Sequence, residues 1–393
     1  MSTNIIKDLK QKFIEIRTNQ KSKKNNFVCG DRFITIRALK KTVFIICDGM
    51  GSGHQANISA TLCASRIANS IKAGLSLYTI CENVANSMNQ ARRKNIPYST
   101  FTIVNILNDG QFTIYSYEMP KSIIIENGFA YVLEPRYFRV GYEIVAEVSG
   151  RLNETDSFLV FTDGVSQAGL GSISSFGWDS QGVSNYANHL LNVGVSVNDL
   201  VPSIMQKVYQ LNGNYYGDDT TIASLSCRNA TCVNIFTGPP RDKSRDEEVV
   251  DYFLQQDGKK IVCGSSTADV LSRITGKEVS TQISTKSFVQ PPSYNIKGMD
   301  LVTEGAITLN QFYNLLESEY DIDDLSEDDS CVLKLYNLII SADVVRFFVG
   351  TATNLAHANI SFKQLGIMNR KSIVRHIEKR LQKMGKQVDI KYY

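Results

Sequence analysis

Short apolar runs recur along the first half of the chain, and each one ends at polar or glycine-rich positions. The most apolar run, Val43 to Cys47, holds five residues and predicts a buried strand. It ends at Asp48, and the five residues that follow, Gly-Met-Gly-Ser-Gly, suit neither a strand interior nor a helix interior. A helical pattern then runs from about Gln55 to Lys72. The pattern therefore predicts a strand, a turn and a helix, with a carboxylate at the tip of the strand.

Asp48 has two interpretations at this point. A carboxylate at the tip of a core strand, with a pliable backbone behind it, suits a hard cation that prefers oxygen ligands. The same side chain would serve equally well as a cap in an ordinary strand–turn–helix corner. This stretch alone does not separate a metal ligand from a cap.

A second strand, residues 31–37, precedes the apolar one, and the two flank a short turn near Lys40. In an antiparallel hairpin centred on that turn, Asp31 and Asp48 are equally far from the turn and face each other. The two carboxylates are therefore expected at the same end of one sheet.

The alternation predicts further strands at residues 99–107, 111–117, 121–126, 129–133, 143–148 and 157–162. Asn-Asp-Gly at 108–110 and Asn-Gly at 127–128 favour hairpins, because these residues tolerate the positive φ of tight turns. A helical region at about 182–210 precedes Gly217-Asp218-Asp219-Thr220-Thr221, which opens a last strand. This order predicts an α+β sandwich dominated by antiparallel pairing.

The N-terminal segment, residues 1–24, is predicted to be a helix followed by a basic link. Apolar residues at helical spacing predict a short amphipathic helix over 4–17, and they are Ile5, Ile6, Leu9, Phe13 and Ile16. Residues 21–26 are polar and basic, and they are predicted to form a solvated loop rather than a binding patch.

The organisation changes near residues 228–240, where Thr-Gly-Pro-Pro interrupts the chain. A domain boundary is predicted there, between residues 25–230 and a smaller α/β domain at 238–393. In this second domain the pattern predicts a helix over 242–256, a strand at 260–263 and a final helix at 370–384. An acidic run at 321–329 is expected to be a solvated loop.

The turn after strand 260–263 has the sequence Gly264-Ser265-Ser266-Thr267 and leads into a helix. Main-chain N–H groups at such a turn are able to hold a phosphate. A capped strand–helix corner explains the same residues, and the full P-loop pattern with its lysine is absent. The sequence favours the capped corner.

Composition limits the function classes. At 393 residues the chain exceeds one usual core, and 43% hydrophobic and 21% charged residues are ordinary for a globular protein. A net charge of +3 does not support a nucleic-acid partner. The sequence has no apolar run of membrane-spanning length and no secretory h-region near its start, and its eight cysteines are scattered. A reducing, cytoplasmic location without membrane partners is expected, and the oligomeric state stays open.

Four aspartates stand where strands begin or end: Asp31, Asp48, Asp163 and Asp218. If the strands of Asp163 and Asp218 pair antiparallel, all four carboxylates gather at one edge of the sandwich. Crowded carboxylates repel one another, and divalent cations remove that cost. An all-oxygen set selects Mg²⁺ or Mn²⁺ over zinc, and the main-chain carbonyl of Gly49 is expected to add a further ligand. Each aspartate alone is explained equally by a turn or cap, but four together favour a metal site.

The motifs around these aspartates resemble one enzyme family. They are Cys29-Gly30-Asp31, Asp48-Gly49-Met50-Gly51-Ser52-Gly53, Phe161-Thr162-Asp163-Gly164-Val165 and Gly217-Asp218-Asp219-Thr220-Thr221. Their order and spacing resemble those of PPM-type (type 2C) protein phosphatases, and more narrowly the bacterial branch typified by the sporulation stage II E phosphatase. The resemblance covers about residues 25–227.

The resemblance implies a four-layer αββα sandwich of two antiparallel sheets, with two Mn²⁺ or Mg²⁺ ions between the sheet edges. Asp48 would bridge both ions, the Gly49 carbonyl would bind the second, and Asp163 and Asp218 would complete the first. Asp31 would hold a metal-bound water or a weaker ion. The implied reaction is hydrolysis of a phosphoserine or phosphothreonine monoester by a water that bridges the two ions.

The chain departs from the wider family near this site. Met50 stands where eukaryotic members have a histidine that is a candidate general acid, so the leaving group is expected to take its proton from water. His54 lies close by in sequence, but a lone histidine at a helix start is more often a cap or a surface residue. The family's Gly-His-Pro segment is replaced by residues 117–120, and the arginine that grips phosphate has no clear counterpart.

Residues 238–393 resemble the C-terminal region of bacterial phosphatases associated with iron hydrogenases, which implies a regulatory or substrate-docking module. The favoured function is a metal-dependent serine/threonine phosphoprotein phosphatase, with a phosphoprotein such as an anti-sigma-factor antagonist as substrate. The alternative is a signalling scaffold that binds a phosphoprotein or ligand through the second domain with little turnover. A phosphatase acting on a small phosphorylated metabolite is a third interpretation.

Overall fold

The computed structural model describes residues 11–171, 175–282, 293–318, 330–352 and 367–393. The chain divides into two compact units, Met1–Asn229 and Ala230–Tyr393. The division falls inside the stretch 228–240, where the sequence predicts a change of organisation. Over the described ranges, no helix is long and apolar enough to cross a membrane.

The first unit is built on eleven strands of the described chain. In chain order they are β1 Lys12–Lys21, β2 Arg32–Ala38, β3 Lys41–Gly49, β4 Ser99–Leu107, β5 Gln111–Tyr117, β6 Ile123–Glu126, β7 Phe129–Val132, β8 Arg136–Val140, β9 Glu143–Arg151, β10 Ser157–Phe161 and β11 Thr220–Asn229. One sheet has the order β1-β11-β10-β6-β7 and the other β2-β3-β4-β5-β9-β8. Neighbouring strands in both sheets run antiparallel.

Helices cover the outer faces of the two sheets. They are α1 Gly53–Lys72, α2 Leu77–Arg93, α3 Asp163–Ser166, α4 Asp179–Asn192 and α5 Leu200–Leu211. One apolar cluster joins α1 and α2 to the β3 sheet, and another joins α4 and α5 to the β10 sheet. A third fills the space between the sheets and includes Phe44, Ile46, Phe158 and Leu225. Because β3 alternates between the first and third clusters, its residues are buried on both faces, and the predicted αββα sandwich is confirmed.

The prediction of a helix over residues 4–17 is wrong for residues 12–17. These residues belong to strand β1, which pairs with β11 over ten positions, from Lys12 opposite Asn229 to Lys21 opposite Thr220. Spacing alone fits either a helix or a strand here. Pairing with a strand about 200 positions away decides between them, since β-structure depends strongly on such distant context. Residues 4–10 of the predicted helix lie outside the described residues.

The second unit contains a single mixed sheet. Its strands are β12 Cys232–Thr237, β13 Lys259–Cys263, β14 Ser280–Gln282, β15 Ser293–Asn295, β16 Leu301–Thr303, β17 Val344–Val349 and β18 Gln387–Tyr392. Their order is β14-β15-β16-β13-β12-β17-β18. The five strands from β16 to β18 are mutually parallel, whereas β14 and β15 pair antiparallel at one edge. The sequence prediction missed β12, because only two residues separate it from the end of β11.

Helices lie on both faces of this parallel sheet. They are α6 Asp246–Gln255, α7 Ser265–Thr275, α8 Ala306–Glu317, α9 Cys331–Ile340 and α10 Arg370–Lys383. Apolar residues of α6 and α7 pack on one face, and those of α8, α9 and α10 pack on the other. The second unit is therefore a doubly wound α/β domain, and the predicted acidic loop at 321–329 lies outside the described residues.

Strand β1 provides a test of the architecture. Ile14 is 3% exposed in the core between the sheets. We expect Ile14→Ala to lower the free energy of unfolding by about 2–5 kcal/mol, since it leaves a cavity. Trp178, the chain's one tryptophan, packs in the first unit, so its fluorescence in urea reports this transition.

Thr18→Ala is the matched control, because Thr18 is an exposed residue of the same strand. We expect that variant to stay within about 0.5 kcal/mol of the parent protein. Equal stability of the two variants would contradict the burial of β1.

Candidate metal centre

The β2–β3 hairpin brings Asp31 and Asp48 to the same sheet edge. Its register runs from Ala38 opposite Lys41 to Arg32 opposite Cys47. Continuing that register by one residue places Asp31 opposite Asp48, as the sequence predicts. Asp48 itself pairs with Thr100 of the next strand, so β4 holds its backbone on one side.

The other two aspartates lie where β10 ends and β11 begins. These strands pair antiparallel, and Phe161 at the end of β10 lies opposite Ile222. Asp163 follows β10 as the first residue of α3, and Asp218 precedes β11. The antiparallel arrangement on which the sequence argument depends is therefore present.

Asp31 connects the two sheets at this edge. It is 1% exposed, and its Oδ2 accepts hydrogen bonds from Thr162 Oγ1 at 2.8 Å and from Thr221 Oγ1 at 2.7 Å. Thr221 N in turn donates to Thr162 Oγ1 at 2.9 Å. The other carboxylate oxygen of Asp31, Oδ1, is buried and has no hydrogen-bond partner.

The cluster carries more negative charge than its surroundings stabilise. Burial, followed by the charges of Asp31 and Asp163, raises the pKa of Asp48 to about 10. Burial raises the pKa of Asp31 to about 7, although the hydrogen bonds from Thr221 and Thr162 oppose the shift. Burial also raises the pKa of Asp163, and the charge of Asp218 adds to that effect. The charges of Asp31, Asp163 and Asp218 all act on Asp48, so these carboxyl groups lie near one another at this sheet edge.

The donor set fits a hard divalent cation. Its side chains offer only carboxylate oxygens, the ligands that Mg²⁺ and Mn²⁺ prefer, and Asp31 Oδ1 is a buried acceptor without a donor. In the described part of the chain, no three acidic, histidine or cysteine side chains already form a metal-binding group. Protein donors hold several of these oxygens: Gln167 Nε2 donates to Asp163, and Asp219 N donates to Asp218. Coordination by all four aspartates is therefore a proposal.

Residues 39–228 match the family model described as Stage II sporulation protein E (SpoIIE). This segment belongs to the SpoIIE family. The match spans strands β3 to β11 and contains Asp48, Asp163 and Asp218. The family match and the αββα fold together support the assignment of this domain as a metal-dependent phosphatase.

Several solved structures are similar to the SpoIIE domain. The PP2C phosphatase domain of SpoIIE from Bacillus subtilis, with a fragment of its regulatory domain, is 17% identical at a TM-score of 0.48, and the match covers 56% of this chain and 65% of that one. A Mycobacterium tuberculosis protein with RsbU and RsbW domains is 15% identical at a TM-score of 0.47, over 62% and 69% of the two chains. RsbX in complex with magnesium is 20% identical at a TM-score of 0.39, and the match covers 55% of this chain and 100% of that one. No functionally curated protein matches the chain.

Two residues beside the SpoIIE aspartates were not predicted. Lys23 Nζ lies 3.5 Å from Asp218 Oδ1, so the link at residues 21–26 reaches the site and is not merely a solvated loop. Asp219 is 4% exposed; its Oδ1 accepts from Lys23 N at 2.9 Å, and its Oδ2 has no partner. The basic run and the Asp-Asp pair were visible in the sequence, but only the β1–β11 pairing brings them together.

The glycines have a different role from the one predicted. A Cβ on Gly49 would lie 2.0 Å from the main-chain oxygen of Ala56, and one on Gly164 would lie 2.2 Å from that of Asp219. The absence of a side chain at these glycines lets another part of the backbone pack closely against them. The sequence analysis had explained Gly49 by the approach of its carbonyl to a metal ion. The Gly49 carbonyl stays a proposed ligand, but helix α1 already accounts for the glycine.

Met50 and His54 lie at the surface of the SpoIIE domain. Met50 is 43% exposed, and its N–H donates to Tyr98 O at 2.9 Å. His54 is an exposed residue in the first turn of α1. Neither residue is buried among the aspartates, and the proton donor that the sequence analysis left unassigned stays unassigned.

The carboxylate crowding predicts a pH dependence of stability. The folded pKa values of Asp31 and Asp48, about 7 and about 10, lie above the ordinary 3.8. The folded state therefore holds more protons than the unfolded state, and its stability falls as the pH rises through this window. In EDTA we expect Trp178 fluorescence to report a progressively lower urea midpoint from pH 6 to pH 9.

Asp48→Asn should remove most of the decline above about pH 7.5, since Asp31 has already lost its proton there. Mg²⁺ should have the same effect in the parent protein, because it binds the ionised carboxylates. Asp109→Asn, in the half-buried turn between β4 and β5 of the same unit, should keep the full decline. An Asp48→Asn profile parallel to that of the parent would contradict the charge crowding.

Proposed function

We propose that the first unit is a metal-dependent phosphatase that hydrolyses phosphoserine and phosphothreonine monoesters of a protein substrate. The observation that carries the proposal is the convergence of Asp31, Asp48 and Asp163 at one edge of the sandwich. Burial raises the pKa of each of them, and the charges of Asp31 and Asp163 raise that of Asp48 further. A structural cluster of caps would not concentrate unbalanced charge in this way. The SpoIIE family match supports the reaction class.

The four aspartates and the Gly49 carbonyl are the proposed ligands of two Mn²⁺ or Mg²⁺ ions. When bound, such ions would neutralise the carboxylates, activate water for attack on phosphorus and screen the charge of the phosphate. Asp48 is best placed to serve both ions, because the charges of Asp31, Asp163 and Asp218 all act on it. Asp31 is the most rigid member, since two threonine hydroxyls fix its carboxylate.

Lys23 is the cation closest to this set of ligands in the described chain. Its side chain is 39% exposed beside Asp218, and its charge lowers the pKa of Asp163 against the effect of burial. An ammonium group at the mouth of an anionic site is suited to attract a phosphate that the carboxylates alone would repel. Lys23 thus takes the proposed role of the missing phosphate-gripping arginine.

The substrate class follows from the resemblance and the family. A phosphorylated protein of the anti-sigma-factor-antagonist type remains the proposed substrate, and a regulatory or docking role remains the proposal for the second unit. Met50 carries no transferable proton, so solvent water is the proposed source of the leaving group's proton.

Phosphate release tests the function directly. With Mn²⁺, the full chain should hydrolyse a phosphoserine peptide, a phosphothreonine peptide and an aryl phosphate, and EDTA should abolish this activity. Asp48→Asn should lower the rate on the order of 10²-fold or more, since metal binding supplies several kcal/mol. Asp109→Asn is the matched control and should retain the parent rate. Equal rates in Asp48→Asn and the parent would refute the assignment, and a strong preference for a phosphorylated metabolite would refute the protein substrate.

Lys23 provides a second test. Lys23→Gln should raise KM for the phosphopeptide by about tenfold with a smaller change in kcat, because a charge-assisted hydrogen bond contributes roughly 1.5–3 kcal/mol. Lys24→Gln is the control from the same loop, since Lys24 Nζ lies over the ring of Tyr215 at 4.8 Å. A fall in kcat alone, or equal effects of the two variants, would contradict a phosphate contact by Lys23.

A further inference from the structure

The order of the parallel strands in the second unit creates a specific crevice. From β16 to β18 the order is β16-β13-β12-β17-β18. After β12, the chain adds β13 and β16 on one side of that strand. It then crosses over and adds β17 and β18 on the other side. In doubly wound sheets, ligands bind outside the carboxyl ends of the strands at the point where the order reverses. That point here lies between Thr237 at the end of β12 and Val349 at the end of β17.

A guanidinium group occupies this crevice. Arg370, the first residue of α10, donates from Nη1 to the carbonyl of Gly350 at 3.1 Å. A Cβ on Gly238 would lie 1.9 Å from the same Nη1, so the guanidinium rests directly on the Gly238 backbone. Only glycine fits beneath Arg370, and its φ of +83° also favours glycine.

Arg370 is half-buried, and its guanidinium is incompletely satisfied. Its Nε is buried and has no hydrogen-bond partner among the described residues, and burial lowers the pKa of Arg370. The charge of Glu304 raises the pKa of Arg370, but Glu304 Oε2 accepts its hydrogen bond from Ile307 N at 3.1 Å. A buried guanidinium is costly unless an anion pairs with it.

Thr237 is a second unsatisfied group at the same place. Its side chain is fully buried, and Oγ1 has no hydrogen-bond partner in the part of the chain that the structure describes. Residues alternate along β12, and Val233 and Ile235 pack in the cluster that contains α8 and α10. Thr237 therefore points to the face on which Arg370 lies, one residue before Gly238. A buried hydroxyl without a partner is unfavourable, and it is normally found where a ligand or water completes it.

Besides α10, three helices begin at this edge of the sheet, and their N-termini differ. The first turn of α6 holds Asp246, Glu247 and Glu248, which repel an anion. Glu304 already accepts from the first turn of α8. By contrast, α7 begins at Gly264-Ser265-Ser266 without a side-chain cap, and Thr267 Oγ1 of its first turn accepts from Gly238 N at 2.7 Å. The one open N-terminus of the three is thus joined through Gly238 to Arg370.

We propose that the second unit binds a nucleotide-type, phosphate-bearing small molecule at the crevice between β12 and β17. Arg370 and the Thr237 hydroxyl donate to its phosphate oxygens, and the main-chain N–H groups of Ser265 and Ser266 supply further donors. A small ligand is favoured over a protein segment, because the point of strand-order reversal in a doubly wound sheet is a small-molecule site. The site shares no residue with the aspartate cluster of the first unit.

Binding to the full-length chain tests the proposal, with EDTA present so that no divalent cation serves the first unit. The probes are AMP, ATP, NAD⁺ and inorganic phosphate, each measured by isothermal titration calorimetry and by the shift in Tm. We expect saturable binding of at least one of the three nucleotides at one site per chain. Asp48→Asn should leave that affinity unchanged, which separates this site from the proposed phosphatase centre.

Variants separate a ligand contact from a structural role. Arg370→Gln should weaken nucleotide binding at least tenfold, whereas Arg375→Gln, on the exposed side of the same helix, should not change it. Thr237→Val removes the unpartnered hydroxyl at constant shape, so the ligand-free Tm should stay equal or rise. The same variant should weaken binding, a combination that a purely structural threonine would not give.

Three results would overturn the proposal. The first is the absence of saturable binding by all three nucleotides, including a case in which inorganic phosphate alone binds. The second is nucleotide affinity that is unchanged in Thr237→Val and equal in Arg370→Gln and Arg375→Gln. The third is binding that Asp48→Asn abolishes while Arg370→Gln preserves it, since that would place the ligand in the first unit.

Discussion

The hydrogen bonds from Thr162 and Thr221 to Asp31 connect the two sheets of the first unit at the edge where the aspartates meet. Asp31 precedes β2 in one sheet, whereas the two threonines lie at the ends of β10 and β11 in the other. Without this link, the apolar core between the sheets would leave the separation of their polar edges weakly defined, because hydrophobic packing is non-directional. The position of every other carboxylate in the cluster depends on that separation.

Strand pairing also supports a charge distribution that the side chains alone would not adopt. Asp48 pairs with Thr100 of β4, and its neighbour Cys47 pairs with Arg32 of β2, so strand pairing limits movement of its backbone away from Asp31 or Asp163. The stability of the sheet thus offsets the repulsion between the crowded carboxylates. This is common where a site is preorganised for its ligand. The close contact of Gly49 with Ala56 fixes helix α1 against the same strand end.

The sequence predicts local features of this site well and distant ones poorly. The position of Asp31 opposite Asp48 follows from one hairpin turn and the alternation of residues along its two strands. Both signals lie within a short stretch of sequence. Lys23 was missed because its position depends on the pairing of β1 with β11, which no short window contains. The glycine after Asp48 was explained by an ion, although a helix backbone requires it. In the second unit the strands were partly predicted, but their order, and hence the crevice at Arg370, depends on crossovers that composition does not encode.

The pairing of β1 with β11 also has a consequence for the order in which the protein is made. Strand β1 is among the first described residues to be synthesised, yet its partner ends at Asn229, about 200 positions later. Long-range pairing of this kind is slow and occurs late in folding. Lys23 lies two residues after the end of β1 and Asp218 lies two residues before β11, so the contact between them forms only when this pairing closes. A nascent chain released before β11 would lack part of its aspartate set, so the proposed metal centre would be incomplete until the fold closes.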